Sequence, residues 1–183
     1  MAAVAILSLA AAAPARGSGP PCERVAGNLI ANCGFAKGIA GWRSQAVTTL
    51  AFERGRGFPA PGSLRMTNQP ASEAGAATCV AVVPAMTVEL RGYLHRLDGP
   101  GECLPFVEEH TEADCGDGAT AFHDLGAQPL LAGSFTGIGG TAELRRDTVA
   151  VRAGFACYGE EDDDVQSVLL DDVTLRRVEA ASP

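Results

Sequence analysis

Basic residues are in short supply in this chain. Fourteen Lys and Arg stand against 22 Asp and Glu, giving a formal net charge of −8, and no segment clusters Lys or Arg with interleaved aromatics. Such a surface repels a phosphate backbone instead of neutralising it, which argues against nucleic acid as a partner. Aromatics are scarce as well, at 5% of residues, so any surface that stacks rings must draw on Trp42, Tyr93, Tyr158 and seven Phe. Familiar catalytic signatures are missing: there is no H-E-x-x-H, no G-x-S-x-G, no P-loop and no dinucleotide glycine pattern leading into a helix. No cofactor is expected, and no catalytic role is expected in the absence of these motifs.

Long apolar runs are confined to the start. Ala2 to Ala13 is apolar except for Ser8, the length of a signal-peptide h-region and too short to span a bilayer. Ala13 and Ala15 make an A-x-A-like site, although a basic n-region is missing. The expected organisation is a leader over 1–15, a Gly/Pro linker over 16–27, one domain over 28–178 and a tail over 179–183. The destination would be outside the cell or in the periplasm and envelope.

What the chain does contain supports that compartment. Six cysteines, Cys22, Cys33, Cys79, Cys103, Cys115 and Cys157, all follow the expected cleavage site, and an even count in an exported chain reads as disulfides. Proximity suggests Cys22–Cys33 and Cys103–Cys115 as local clasps, with Cys79–Cys157 as the long bridge. Cys103, His110, Cys115 and His123 mix the ligand types of a zinc site, but no C-x-x-C pair occurs among them, and no metal is expected.

Short apolar runs punctuated by Gly and Pro follow at fairly regular intervals, the rhythm of a sandwich. Expected strands are 28–31, 41–49, 63–67, 78–83, 87–96, 102–108, 118–124, 141–145, 148–158 and 167–178. Alternation is clearest in Val88–His95: Val88, Leu90, Gly92 and Leu94 point one way, and Glu89, Arg91, Tyr93 and His95 the other. Val149–Tyr158 repeats the pattern. Half-buried strands of this kind imply an all-β fold of antiparallel sheets, a disulfide-stapled β-sandwich.

The segment Asn28-Leu29-Ile30-Ala31-Asn32-Cys33-Gly34-Phe35, followed by Gly41-Trp42, resembles the opening of the jelly-roll carbohydrate-binding modules of the galactose-binding-like fold. Val168-Leu169-Leu170-Asp171-Asp172-Val173-Thr174-Leu175 is similar to their closing strand, and Gly62-Ser63-Leu64-Arg65-Met66 to their second-strand pattern. The resemblance implies a jelly roll and a non-catalytic role, with a polysaccharide or cell-surface glycan as partner. It also implies a structural calcium held by a glutamate after Phe35 and by the aspartate of the last strand. Ala36 stands where that glutamate belongs, so Asp171 is left without its usual partner, and Cys22–Cys33 is expected to tie the N-terminal loop in place of the ion.

Sugars stack their C–H faces on aromatic rings and bond their hydroxyls to planar polar groups. Trp42 is expected in the core, which leaves the polar face of the 87–96 strand. Glu89, Arg91, Tyr93 and His95 are therefore the candidate ligand-binding residues, joined by Arg152 and Tyr158 only if their strand lies alongside. The most enzyme-like stretch is Glu108, Glu109 and His110 through Asp114, Asp117, His123 and Asp124. Paired carboxylates with histidines could supply an acid and a base, but the stretch reads as a solvated loop with His110 and His123 exposed. Two alternatives to glycan binding are a structural or protein-interaction sandwich and a small secreted hydrolase.

Overall fold

The computed structural model describes residues 21–59, 61–70, 72–97, 101–116, 118–131, 133–159 and 165–178. The leader expected over 1–15, the tail over 179–183 and the acidic turn 160–164 fall outside them. Among the described residues the only helical element is a 3-10 turn at Cys22–Arg24, and no helix is long and apolar enough to cross a membrane.

Eleven strands follow: β1 (Trp42–Gln45), β2 (Thr49–Glu53), β3 (Ser63–Thr67), β4 (Ala74–Ala81), β5 (Thr87–Arg96), β6 (Gly101–His110), β7 (Ala121–Asp124), β8 (Gln128–Pro129), β9 (Thr136–Glu143), β10 (Ala150–Gly159) and β11 (Ser167–Val178). They form two antiparallel sheets. The first runs β1-β4-β10-β6-β7, with β8 also paired to β6, and the second runs β2-β3-β11-β5-β9. This is the all-β, disulfide-stapled sandwich that the period-2 runs imply. The expected strand over 41–49 is in fact two, because Ala46 takes φ 46° and turns the chain between the sheets. Residues 28–31 contribute only a single bridge, Asn28 to Arg176.

The core lies between the sheets. Leu64, Met66, Leu90, Leu94, Leu170 and Leu175 from the second sheet meet Phe155, Val107 and Val151 from the first, all fully buried. Each large side chain removed from water in this way contributes roughly 1.5–3 kcal/mol. Trp42 belongs to this core: its ring lies 5.2 Å from that of Phe35, and its indole N–H donates to the Asn32 carbonyl at 3.0 Å. The stretch 22–27, read from composition as linker, carries the buried Cys22 and is bound into the domain.

Three disulfides close the described chain: Cys22–Cys33, Cys79–Cys115 and Cys103–Cys157. The first matches expectation, and the other two correct it. Cys103 and Cys157 sit directly opposite one another in the β6–β10 ladder, a juxtaposition fixed by strand register that spacing along the chain does not disclose. Cys79 points from the outer face of β4 and reaches the β6–β7 loop at Cys115. All the cysteine sulfurs are thereby committed, which removes Cys103 and Cys115 from any zinc site.

Candidate functional site

The alternation of β5 places its residues as expected. Val88, Leu90, Gly92 and Leu94 are buried between the sheets, while Arg91 is exposed and Tyr93 and His95 are half-buried on the outer face of the second sheet. Beside them, at the sheet edge, β9 runs Gly137-Ile138-Gly139-Gly140. Gly137 lies opposite Tyr93 and Gly139 opposite Arg91. Gly139 has no room for a side chain, since a Cβ there would come within 2.2 Å of the Leu90 carbonyl oxygen, and a Cβ on Gly137 would press on the Tyr93 ring at 3.1 Å. The edge strand is therefore low where β5 is high, and a groove of about 500 Å³ runs between Glu89, Arg91 and Tyr93 on one side and Gln128 and Thr141 on the other.

Three of the four residues expected from the sequence line this groove, but their states differ from free polar groups. Glu89 accepts from Arg91 Nε at 2.8 Å and from Arg176 Nε at 2.6 Å, so both carboxylate oxygens are engaged. Burial alone would raise its pKa, and the hydrogen bonds from Arg176 and Arg91 overcome that and hold it below the ordinary value. Tyr93 packs its ring against Phe58, with centroids 4.3 Å apart, and lines the groove. His95 lies outside the lining; its ring meets Phe135 edge-on at 5.1 Å, and burial together with Arg56 lowers its pKa. Gln128, whose Nε2 donates to the Gly139 carbonyl at 3.1 Å, and Thr141 were not legible as site residues from the sequence.

Arg152 and Tyr158 do not join this face, because β10 belongs to the first sheet. They mark a second surface. On the outer side of the first sheet, Cys79, Arg152, Glu108 and Phe122 stand in one cross-strand row. Arg152 Nε donates to Glu108. Phe122 is 54% exposed and stacks on Phe106 at 5.6 Å. Small residues, Ala77, Gly154 and Ala156, floor the centre of the row beside Phe106. Tyr158 lies on β10 toward the other end of the ladder, opposite Glu102, with its phenol pushed up to about 12 by burial and by its hydrogen bond to Glu73.

The enzyme-like stretch is mostly ladder and not loop. Glu108, Glu109 and His110 end β6, His123 and Asp124 end β7, Asp114 stays in the intervening loop, and Asp117 lies outside the described residues. His110 is fully buried, contrary to the exposed position expected, and His123 is half-buried. Glu109 is also fully buried; it meets His123 Nε2 at 2.6 Å and accepts from the Arg145 backbone N–H at 2.8 Å and from the Thr148 hydroxyl. Burial opposes its ionisation, yet the hydrogen bonds from Thr148, His123 and Arg145 keep its pKa below the ordinary carboxylate value. Its oxygens are spent on tying β6, β7 and the 144–149 turn together.

The aspartates of the closing strand, where a structural calcium would be held, accept hydrogen bonds from the backbone. Asp171 accepts from the Phe58 N–H at 2.5 Å and the Asp172 N–H at 2.7 Å, and Asp172 accepts from the Cys22 N–H at 2.5 Å. Burial pushes the Asp171 carboxyl up to about 8 despite those donors. The Cys33 carbonyl receives the Val173 N–H at 3.0 Å. Cys22, Glu23 and Cys33 cluster here, but the two sulfurs are bonded to each other. A hard cation wants several free oxygens; both oxygens of Asp171 and one of Asp172 are already in hydrogen bonds with backbone donors.

No family model matches the sequence, and no curated protein sequence does either. Solved structures do resemble it. The CBM22-1 xylan-binding domain of Paenibacillus barcinonensis Xyn10C superposes with a TM-score of 0.63 at 16% identity, covering 81% of this chain and 94% of that one. A xylan-binding domain from family 22 gives 0.64 at 10% identity over 86% of this chain and 99% of its own, and a family 16 carbohydrate-binding module gives 0.56 at 19% identity over 83% and 100%. The fold is thus that of jelly-roll carbohydrate-binding modules, as the opening and closing motifs imply.

Proposed function

We propose that this chain is a non-catalytic glycan-binding module that holds a sugar in the groove between β5 and β9. The observation that carries the reading is the groove itself, a recess of about 500 Å³ on a fold shared with carbohydrate-binding modules, in which an aromatic ring, a guanidinium, an amide and a hydroxyl converge over a glycine floor. Planar and hydroxylic groups of this kind match the vicinal hydroxyls of a pyranose. Tyr93 would close over the ring edge, with Arg91, Gln128 and Thr141 bonding the hydroxyls. The three disulfides suit an oxidising compartment, and we place the module outside the cell or in the envelope. The acidic and histidine side chains of β6 and β7 serve stability in this reading, and catalysis is assigned to none of them.

A second reading is favoured by one feature, the exposed Phe122 stacked on Phe106 beside the Arg152–Glu108 pair. In it, the glycan lies across the outer face of the first sheet. Substitution separates the two. Arg91→Ala with Gln128→Ala should abolish binding to a polysaccharide recovered from a screen if the groove is the site, while Phe122→Ala leaves affinity unchanged; the opposite outcome moves the site to the first sheet. Failure of the unaltered protein to bind any polysaccharide would favour a structural sandwich.

A further inference from the structure

The face around the groove carries an excess of positive charge that an acidic protein has no general reason to build. Glu89 lies between two arginines, with one oxygen on Arg91 and the other on Arg176, so this part of the face holds one cation more than it holds anions. Both contacts of Arg91 go to the same oxygen: Nε at 2.8 Å and Nη2 at 2.7 Å from Glu89 Oε1. Among the described residues no hydrogen bond engages its remaining N–H donors, and the side chain is 66% exposed at the groove. The fork is nonetheless held in place, because Glu89 is 11% exposed and anchored from its far side by Arg176. An arginine fixed at one edge and open at the other presents donors in the geometry that a carboxylate accepts.

The surroundings sustain this. The other groups lining the recess, Tyr93, Gln128, Thr141 and the backbone of the β9 glycines, are uncharged. The next acid along the same face of β9 is Glu143, exposed and two residues beyond Thr141, about 7 Å further along an extended strand. Asp171, opposite Tyr93 in the neighbouring strand, is buried beneath the Phe58 N–H and does not reach the recess. Gln128, across from Arg91, adds an amide whose oxygen stays available while its nitrogen bonds Gly139.

From this arrangement we infer that the groove selects glycans bearing a carboxylate, that is, uronic-acid residues, over neutral glycans of the same backbone, with Arg91 as the residue that reads the acid. The inference rests on the groove being a glycan site. Arg91 would accept the carboxylate on its open edge while keeping Glu89 on the other, so no existing pair has to break when ligand enters.

The test uses a panel of uronic-acid polysaccharides, glucuronic-acid-substituted xylan and polygalacturonate among them, each paired with its carboxyl-reduced form and titrated against the full chain at low and high salt. At low salt the acid form of a bound polysaccharide should be favoured roughly fivefold, as for a partly exposed ion pair, and the preference should shrink in high salt. Arg91→Gln should weaken binding of both forms but bring their affinities together, so that the acid preference is lost, and Arg91→Lys should retain part of it. Equal affinity for acid and reduced forms, or a preference that survives Arg91→Gln with the melting transition intact, overturns the inference and leaves glycan binding standing. Absence of binding to every member of the panel overturns both.

Discussion

The backbone N–H of Cys22 donates to the carboxylate of Asp172 at 2.5 Å across 150 residues of sequence, joining the turn at Cys22–Arg24 to the last strand. Asp172 can offer its oxygen there because it takes φ 49° at a bulge in β11, where the register slips between Asp171 and Thr174. Next to this bond, Cys22–Cys33 clamps the same loop. Together they do the tethering that a structural cation does when carboxylates are free to hold one.

Calcium should therefore be dispensable. A chelator is expected to leave the melting temperature within about 2 °C of its starting value, since a bound ion would stabilise by linkage and its removal would show. A fall of ten degrees or so would mean that Asp171 and Asp172 hold an ion after all. By contrast, replacing Cys22 and Cys33 by serine should cost on the order of 3 kcal/mol, the loop-closure entropy for a separation of 11 residues.

The remaining bridges make a prediction of order. Cys103–Cys157 is fully buried, whereas Cys79 is exposed. Mild reductant should open Cys79–Cys115 first, and Cys103–Cys157 only as the sandwich unfolds. Peptide mapping of the native, non-reduced protein should recover these pairs; a Cys103–Cys115 or Cys79–Cys157 peptide would contradict the strand register itself.

How much of this was open to the sequence depends on which atoms carry the information. The strand β5 was legible because a half-buried strand writes its two faces into alternate residues, and Glu89, Arg91 and Tyr93 fell on the correct side. The groove beside them was not, because its floor is made by the absence of side chains at Gly137 and Gly139, and glycine in a strand does not announce which neighbour it clears. Gln128 comes from a two-residue strand paired to the other sheet, a contact set by tertiary packing alone. Proximity in the chain gives Cys22–Cys33 correctly but fails for Cys103, because antiparallel pairing puts Cys157 across from it and leaves Cys115 to Cys79. Charge at Glu109 and His110 suggests a solvated loop, although a buried carboxylate with three partners is equally polar in sequence.

Stability should vary with pH in a direction fixed by Asp171. Its folded pKa of about 8 lies above the ordinary carboxylate value because of burial, so between pH 4 and 8 or so the folded state holds a proton that the unfolded chain has lost. Stability then declines as pH rises through that window. Thermal melts across it should show the decline in the unaltered protein and a flatter profile in Asp171→Asn; a profile that rises toward pH 8 would contradict the assignment.

Glu109 works in the opposite sense. Its pKa is held below the ordinary value, so its contribution is complete above the usual carboxylate range and is lost as pH falls through the lowered value. Glu109→Gln should destabilise by about 2–4 kcal/mol at neutral pH, the cost of breaking a buried charged network while His123, Thr148 and the Arg145 N–H keep their places. Urea melts at pH 7 provide the check, and a change under about 0.5 kcal/mol, the scale of ordinary surface substitutions, would mean the network contributes little.

Tyr93 tests whether the groove binds or merely packs. Because its ring rests on Phe58, Tyr93→Ala should lower stability by roughly 0.5–1.5 kcal/mol from the lost aromatic pair alone, which confounds any loss of affinity. Tyr93→Phe keeps the packing and removes the hydroxyl. Weaker glycan binding with an unchanged melt is the expected result, and equal affinity would confine Tyr93 to a packing role.

The most direct measurement is a backbone amide chemical-shift titration of the full chain with a polysaccharide fragment that binds it. The shifts should concentrate on β5 from Glu89 to Tyr93, on β9 from Gly137 to Thr141 and at Gln128, with Phe106, Phe122 and Arg152 unmoved. Shifts confined to Phe122, Arg152 and their neighbours, or no shifts with any glycan, would contradict a binding site in the groove.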